Sequence, residues 1–136
     1  MNPSKIEHIG IAVNDLESSV KFFESVFGLK CYKIEEVPEE KVRTAFFSLG
    51  KTKIELLEST DPEGPITRFI EKRGEGIHHI AIIVSGLEDR LVEAQKAGVM
   101  LIDHKPKPGA DGMDIAFLHP KSTSGVLIEL CESRKK

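Results

Sequence analysis

The sequence predicts an α+β fold in which one βαβββ module is used twice, giving a curved, mixed sheet of eight strands with helices on its convex side. Three observations carry this reading. His8-Ile-Gly-Ile-Ala-Val13 recurs as His79-Ile-Ala-Ile-Ile-Val84, an offset of 71 residues. Ile54-Glu55-Leu56 recurs as Ile128-Glu129-Leu130, an offset of 74. Leu16, Glu17 and Ala45-Phe46 recur as Leu87, Glu88 and Ala116-Phe117. A chain of 136 residues is one domain by length, 1–136, and buries roughly two thirds of its unfolded surface. Within it the modules span residues 5–58 and 76–132, with a linker over 59–75.

The elements follow in order. Ile6–Val13 is the first predicted strand, with bulky Ile9, Ile11 and Val13 alternating with His8, Gly10 and Ala12. Asn14 or Asp15 caps a helix, along which Leu16, Val20, Phe23 and Phe27 fall at helical spacing until Gly28 stops it. Leu29–Glu36, Val42–Leu49 and Thr52–Leu57 read as strands, the last two joined in a hairpin at Gly50-Lys51. Ser59–Gly64 is a loop. Pro65–Arg73 is a short helix with proline at its first position and Gly74 after its end. In the second module Ile77–Val84 is a strand, and Leu87, Leu91 and Ala94 form a helical stripe ended by Gly98. Val99–Asp103, Asp114–Leu118 and Val126–Cys131 are strands, and Lys105–Gly112 is a loop rich in proline and glycine.

Bulk properties exclude several classes. The net charge of −3 provides no basic field for nucleic acid or an anionic membrane surface. No apolar run approaches the ~18 residues of a spanning helix, and the first residues lack a signal-peptide pattern. The expected location is the cytosol. Cys31 and Cys131 lack CxxC spacing and are expected to be reduced.

Strand alternation predicts where the repeated polar residues point. His8 lies opposite Ile9, Ile11 and Val13, and His79 opposite Ile80, Ile82 and Val84. Glu55 and Glu129 each lie opposite flanking aliphatic residues. The aliphatic sets pack under the helices, so the four polar residues face the concave side. Buried carboxylates require a cation or a partner. Two imidazoles with two carboxylates suit a borderline divalent ion such as Zn, Ni, Co, Mn or Fe. His8, Glu55, His79 and Glu129 are therefore the expected metal ligands. His78, out of phase with His79, is assigned to the other face.

The chain resembles the vicinal oxygen chelate superfamily of glyoxalases, bleomycin-resistance proteins and dioxygenases. Within it, the motifs are similar to those of methylmalonyl-CoA epimerases over nearly the whole length. They are His8-Ile-Gly-Ile-Ala-Val, Thr52-Lys-Ile-Glu-Leu-Leu57, Gly76-Ile-His-His-Ile80, and Phe117-Leu-His-Pro-Lys-Ser122 through Gly125-Val-Leu-Ile-Glu-Leu130. The resemblance implies the same four ligands and one divalent ion per site, cobalt first, with Mn, Ni and Zn as alternatives. It also implies an acyl-CoA substrate, a homodimer and a catalytic role for Glu129 in moving the proton at carbon 2. Some epimerases have Gln at the Glu55 position, which makes this site one charge more negative. Some have a glutamate where this chain has Thr44, which leaves the second proton-transfer group unassigned; Glu39 and Glu40 lie nearby in a loop. Lys105, Lys107, Lys121 and Arg43 are candidates for the coenzyme A phosphates. His119 either shapes the pocket or stabilises a turn, and Cys131 is a small apolar filler. Glyoxalase I shares the His, Glu, His, Glu ligand set and is the main alternative. His119-Pro-Lys-Ser-Thr-Ser-Gly125 stands where glyoxalases carry an acidic turn, and this favours the epimerase. A non-catalytic binding module of the same fold is a further alternative.

Overall fold

The structure is a computed structural model that describes residues 1–134. The module pattern appears twice. In the first, β1 (Lys5–Ala12), α1 (Leu16–Phe27), β2 (Cys31–Val37), β3 (Val42–Leu49) and β4 (Thr52–Ser59) follow in order, and α2 (Pro65–Arg73) comes after them. In the second, β5 (Gly76–Ile83) and α3 (Leu87–Lys96) precede β6 (Lys107–Pro108), β7 (Met113–Leu118) and β8 (Ile128–Ser133). The backbone forms two compact units. One is residues 8–78, and the other joins residues 1–7 to the chain from residue 79 onward. The N-terminal segment thus belongs with the second module, where the Ser4 N–H donates to the Ile83 carbonyl at 3.0 Å.

Pairing within each module is the same. In the first, strands run β2-β3-β4-β1, with β4 antiparallel to β3 and parallel to β1. In the second they run β5-β8-β7-β6, with β8 parallel to β5 and antiparallel to β7. One face of each four-strand set packs on its own helix. Val13, Leu16, Ala45, Phe47 and Leu56 form the buried core under α1, with Ile11, Val20 and Phe23 against it. Val84, Leu87, Leu91, Ala116, Leu118 and Leu130 form the core under α3. The α3 stripe of Leu87, Leu91 and Ala94 is buried as predicted, but on α1 only Leu16 is fully buried, Val20 and Phe23 are partly so, and Phe27 at the helix end is 59% exposed; the β alternation has the predicted phase.

The N-termini of α1 and α3 are each held by a carboxylate from a distant strand. Asp15 caps α1 through Glu17 N–H at 3.2 Å, and Glu58 on β4 accepts from Leu16 N–H at 3.3 Å. For α3 the cap residue is Gly86, which has no side chain to offer. Glu132 on β8 accepts from Gly86 N–H at 2.7 Å and Leu87 N–H at 3.0 Å. Glu58 follows Glu55 by three residues, and Glu132 follows Glu129 by three. An odd spacing on a strand sends the two carboxylates to opposite faces, one to the helix end and one away from it.

Three expectations are corrected. The predicted strand Val99–Asp103 shrinks to a single bridge, Leu101 to Leu118. The Asp103 carboxylate accepts from Phe117 N–H at 2.8 Å and takes the donor that a continued ladder needs. A short edge strand, Lys107–Pro108, forms instead inside the predicted 105–112 loop, at a sheet edge where proline is tolerated. The strand predicted to run from Val126 begins at Ile128, because 123–125 form a turn.

Candidate active site

The face of each module away from its helix carries the predicted residues. Gly10 on β1 pairs with Glu55 on β4, and Ala81 on β5 pairs with Glu129 on β8. A small residue therefore lies beside each carboxylate and leaves space over it. On the other side, Phe46 pairs with Glu55 and Phe117 with Glu129. Each glutamate thus has a histidine strand on one flank and a phenylalanine on the other.

The structure brings His8 to Glu55, Nδ1 to Oε2 at 3.1 Å, and His79 to Glu129, Nε2 to Oε1 at 3.2 Å. All four side chains are no more than 5% exposed. The buried polar and charged residues among those described are these four, Glu7 and Thr44. Burial holds the His79 imidazole neutral, its pKa lowered to about 4, and the neutral ring is the form that binds a metal. Two donors at about 2.1 Å from one ion and at right angles lie about 3.0 Å apart. Each histidine–glutamate pair already has that spacing. An imidazole nitrogen and a carboxylate oxygen at that spacing in each module fit a divalent cation.

The surroundings of the two pairs differ. In the second module the surround is apolar: Ala81, Met113, Ile115, Phe117 and Cys131 cluster, with Ile83 and Leu127 against them. Cys131 is the small filler its strand phase predicts. In the first module the surround is polar. Thr44 and Glu35 pair across β3 and β2, and Lys33 pairs with Phe46. Lys33 Nζ lies 5.1 Å and Lys53 Nζ 5.8 Å from the Phe46 ring centroid.

The other nominated residues are distributed as follows. His78 packs edge-on to Phe69 of α2, ring centroids 5.0 Å apart. His119 Nδ1 accepts from Lys121 N–H at 3.0 Å and stabilises the turn over 120–122. Arg43 bonds Glu58 at 3.1 Å on the helix side. Lys105 pairs with Glu88 at 3.4 Å in solvent. Lys121 is exposed. Lys107 pairs with Asp103 at 3.2 Å and reaches over the Phe117 ring at 5.5 Å, so it alone of these four bases lies beside a site phenylalanine. Glu39 and Glu40 lie in the short 38–40 turn. Lys33, Lys53 and Glu7 were missed. Lys53 was readable, since it stands two residues before Glu55 and shares its face. No helix among the described residues is long and apolar enough to cross a membrane.

Comparisons with known proteins agree with this geometry. The family model for the glyoxalase/bleomycin resistance protein/dioxygenase superfamily matches residues 7–117. The ethylmalonyl-CoA/methylmalonyl-CoA epimerase of Cereibacter sphaeroides is 38% identical over 93% of this chain and 96% of its own length. The solved structure of a Streptomyces coelicolor methylmalonyl-CoA epimerase variant, in complex with 2-nitronate-propionyl-CoA, is 33% identical, with a TM-score of 0.93 over 97% of this chain and 96% of that one. The lactoylglutathione lyase of Arabidopsis thaliana is 32% identical over 92% of this chain, but the match covers only 43% of the lyase. The chain belongs to the glyoxalase/bleomycin resistance protein/dioxygenase superfamily and, within it, to the methylmalonyl-CoA epimerase family.

Proposed function

We propose that this protein interconverts (R)- and (S)-methylmalonyl-CoA by proton transfer at carbon 2, and that His8, Glu55, His79 and Glu129 together hold one divalent cation. The observation that carries the reading is the buried histidine–glutamate pair at 3.1–3.2 Å in each module. A divalent cation held by these residues would supply positive charge to stabilise an enolate oxygen. Glu129 takes the proton of carbon 2 on a carboxylate oxygen, and return of a proton to the opposite face inverts the centre. Ala81 beside Glu129 leaves the room for carbon 2 to approach. The apolar wall of Met113, Ile115 and Phe117 excludes water from the carboxylate. The half-exposed Lys33, Lys53 and Lys107 supply positive charge for an anionic coenzyme A ester.

Cobalt is the proposed ion, ahead of Mn, Ni and Zn, in a cytosolic homodimer. The family resemblance supports these choices, and metal analysis and sedimentation test them.

Incubation of the metal-loaded protein with either epimer in D₂O tests the function. Deuterium should enter at carbon 2 in the presence of Co. Methylglyoxal with glutathione is run in parallel. Lactoylglutathione formation without deuterium exchange would replace this reading with the glyoxalase one.

A further inference from the structure

In the unit of residues 8–78, three polar side chains among those described are buried: His8, Glu55 and Thr44. His8 and Glu55 answer one another. Thr44 Oγ1 is sealed from solvent and makes no hydrogen bond. Its position is not incidental to the site. Thr44 pairs with Leu57 on β4, and Phe46, two residues further along β3, pairs with Glu55. Thr44 is therefore the diagonal neighbour of Glu55 on the same face, a separation of about 7–8 Å. On its other side it pairs with Glu35 of β2, whose side chain is 34% exposed.

A hydroxyl buried without a partner is rare and unfavourable. Shape does not require it, since valine has the same outline and suits a strand as well. We propose that Thr44 Oγ1 is a substrate-directed hydrogen-bond donor that takes an acyl oxygen, carboxylate or carbonyl, of the bound 2-carboxyacyl thioester. The inference rests on the epimerase reading and names a further positioning residue for that site. No covalent bond is made or broken in this step; the hydroxyl gains an acceptor oxygen and fixes the acyl group relative to Glu55.

The variants Thr44→Val and Thr44→Ser test it by two readouts that move in opposite directions. The metal-free, ligand-free Thr44→Val protein should melt at or above the wild-type temperature, because it loses an unsatisfied hydroxyl and keeps the packing. Its kcat/KM should fall roughly tenfold, equivalent to about 1.4 kcal/mol. The rise in melting temperature produced by methylmalonyl-CoA should shrink. Thr44→Ser should recover most of the lost activity. A Thr44→Val protein that melts several degrees below wild type, or keeps wild-type kcat/KM, overturns the proposal. If the wild-type protein exchanges no proton with either epimer, the epimerase reading fails separately. The methylmalonyl-CoA melting shift then decides Thr44: an equal shift in wild type and Thr44→Val overturns the inference.

Discussion

At the scale of single residues, Glu129 and His79 carry the sharpest consequences. Glu129→Gln keeps the shape and a ligand oxygen but removes the proton acceptor. Deuterium exchange at carbon 2 should fall by roughly 10²–10⁴-fold with the melting temperature little changed, and near wild-type exchange would exclude Glu129 as a base. His79 predicts a pH dependence. Its folded-state pKa is depressed to about 4 from 6.5 by burial. Between those values the unfolded chain binds a proton that the folded chain does not, so stability rises with pH across the window. The metal-free protein should therefore lose roughly 3 kcal/mol as pH falls from about 6.5 to about 4. His79→Asn should flatten that part of the curve in denaturant titrations at stepped pH.

At the scale of elements, the carboxylates at the helix ends explain how one strand serves both faces of its sheet. β8 presents Glu129 on one side and Glu132 on the other, and Glu132 is the side chain that holds the exposed N–H groups of Gly86 and Leu87. Glu132→Ala should destabilise by about 1–2 kcal/mol, the range for losing a helix cap, as read by urea unfolding. Deuterium exchange should persist because Glu132 lies on the opposite face of β8 from Glu129. β7 gives a second prediction. A Cβ at Gly109 would lie 2.7 Å from Ile115 Cγ2, and Ile115 belongs to the apolar wall beside Glu129. Gly109 has an ordinary extended φ of −120°, so the penalty is steric alone. Gly109→Ala should cost about 1–3 kcal/mol by overpacking and lower kcat/KM by displacing that wall.

At the scale of the whole molecule, the proposal that one ion takes ligands from both modules has a stoichiometric test. Native mass spectrometry should find one divalent ion per chain, and two per chain would mean that each histidine–glutamate pair binds alone. Chelation should lower the melting temperature. Free metal at about a thousand times Kd should restore about 4 kcal/mol. Substituting any one of His8, Glu55, His79 or Glu129 by Ala should remove most of that increment, since a shared ion is lost as a unit.

The sequence by itself determined the module repeat, the buried stripe of α3 and the phase of every strand that carries a predicted ligand. Those features depend on local periodicity, which is written into consecutive residues: His8 against Ile9 and Ile11, Glu129 against Ile128 and Leu130. The tertiary structure decided what depends on partners far along the chain. It paired Glu132 with a helix end that has only glycine to cap it. It ended the strand expected at Val99–Asp103 by giving Phe117 N–H to a carboxylate. It left the Thr44 hydroxyl without a partner between Glu35 and Leu57. Alternation says which face a side chain occupies. Cross-strand register says which residue lies opposite it, and that choice is made by contacts tens of residues apart.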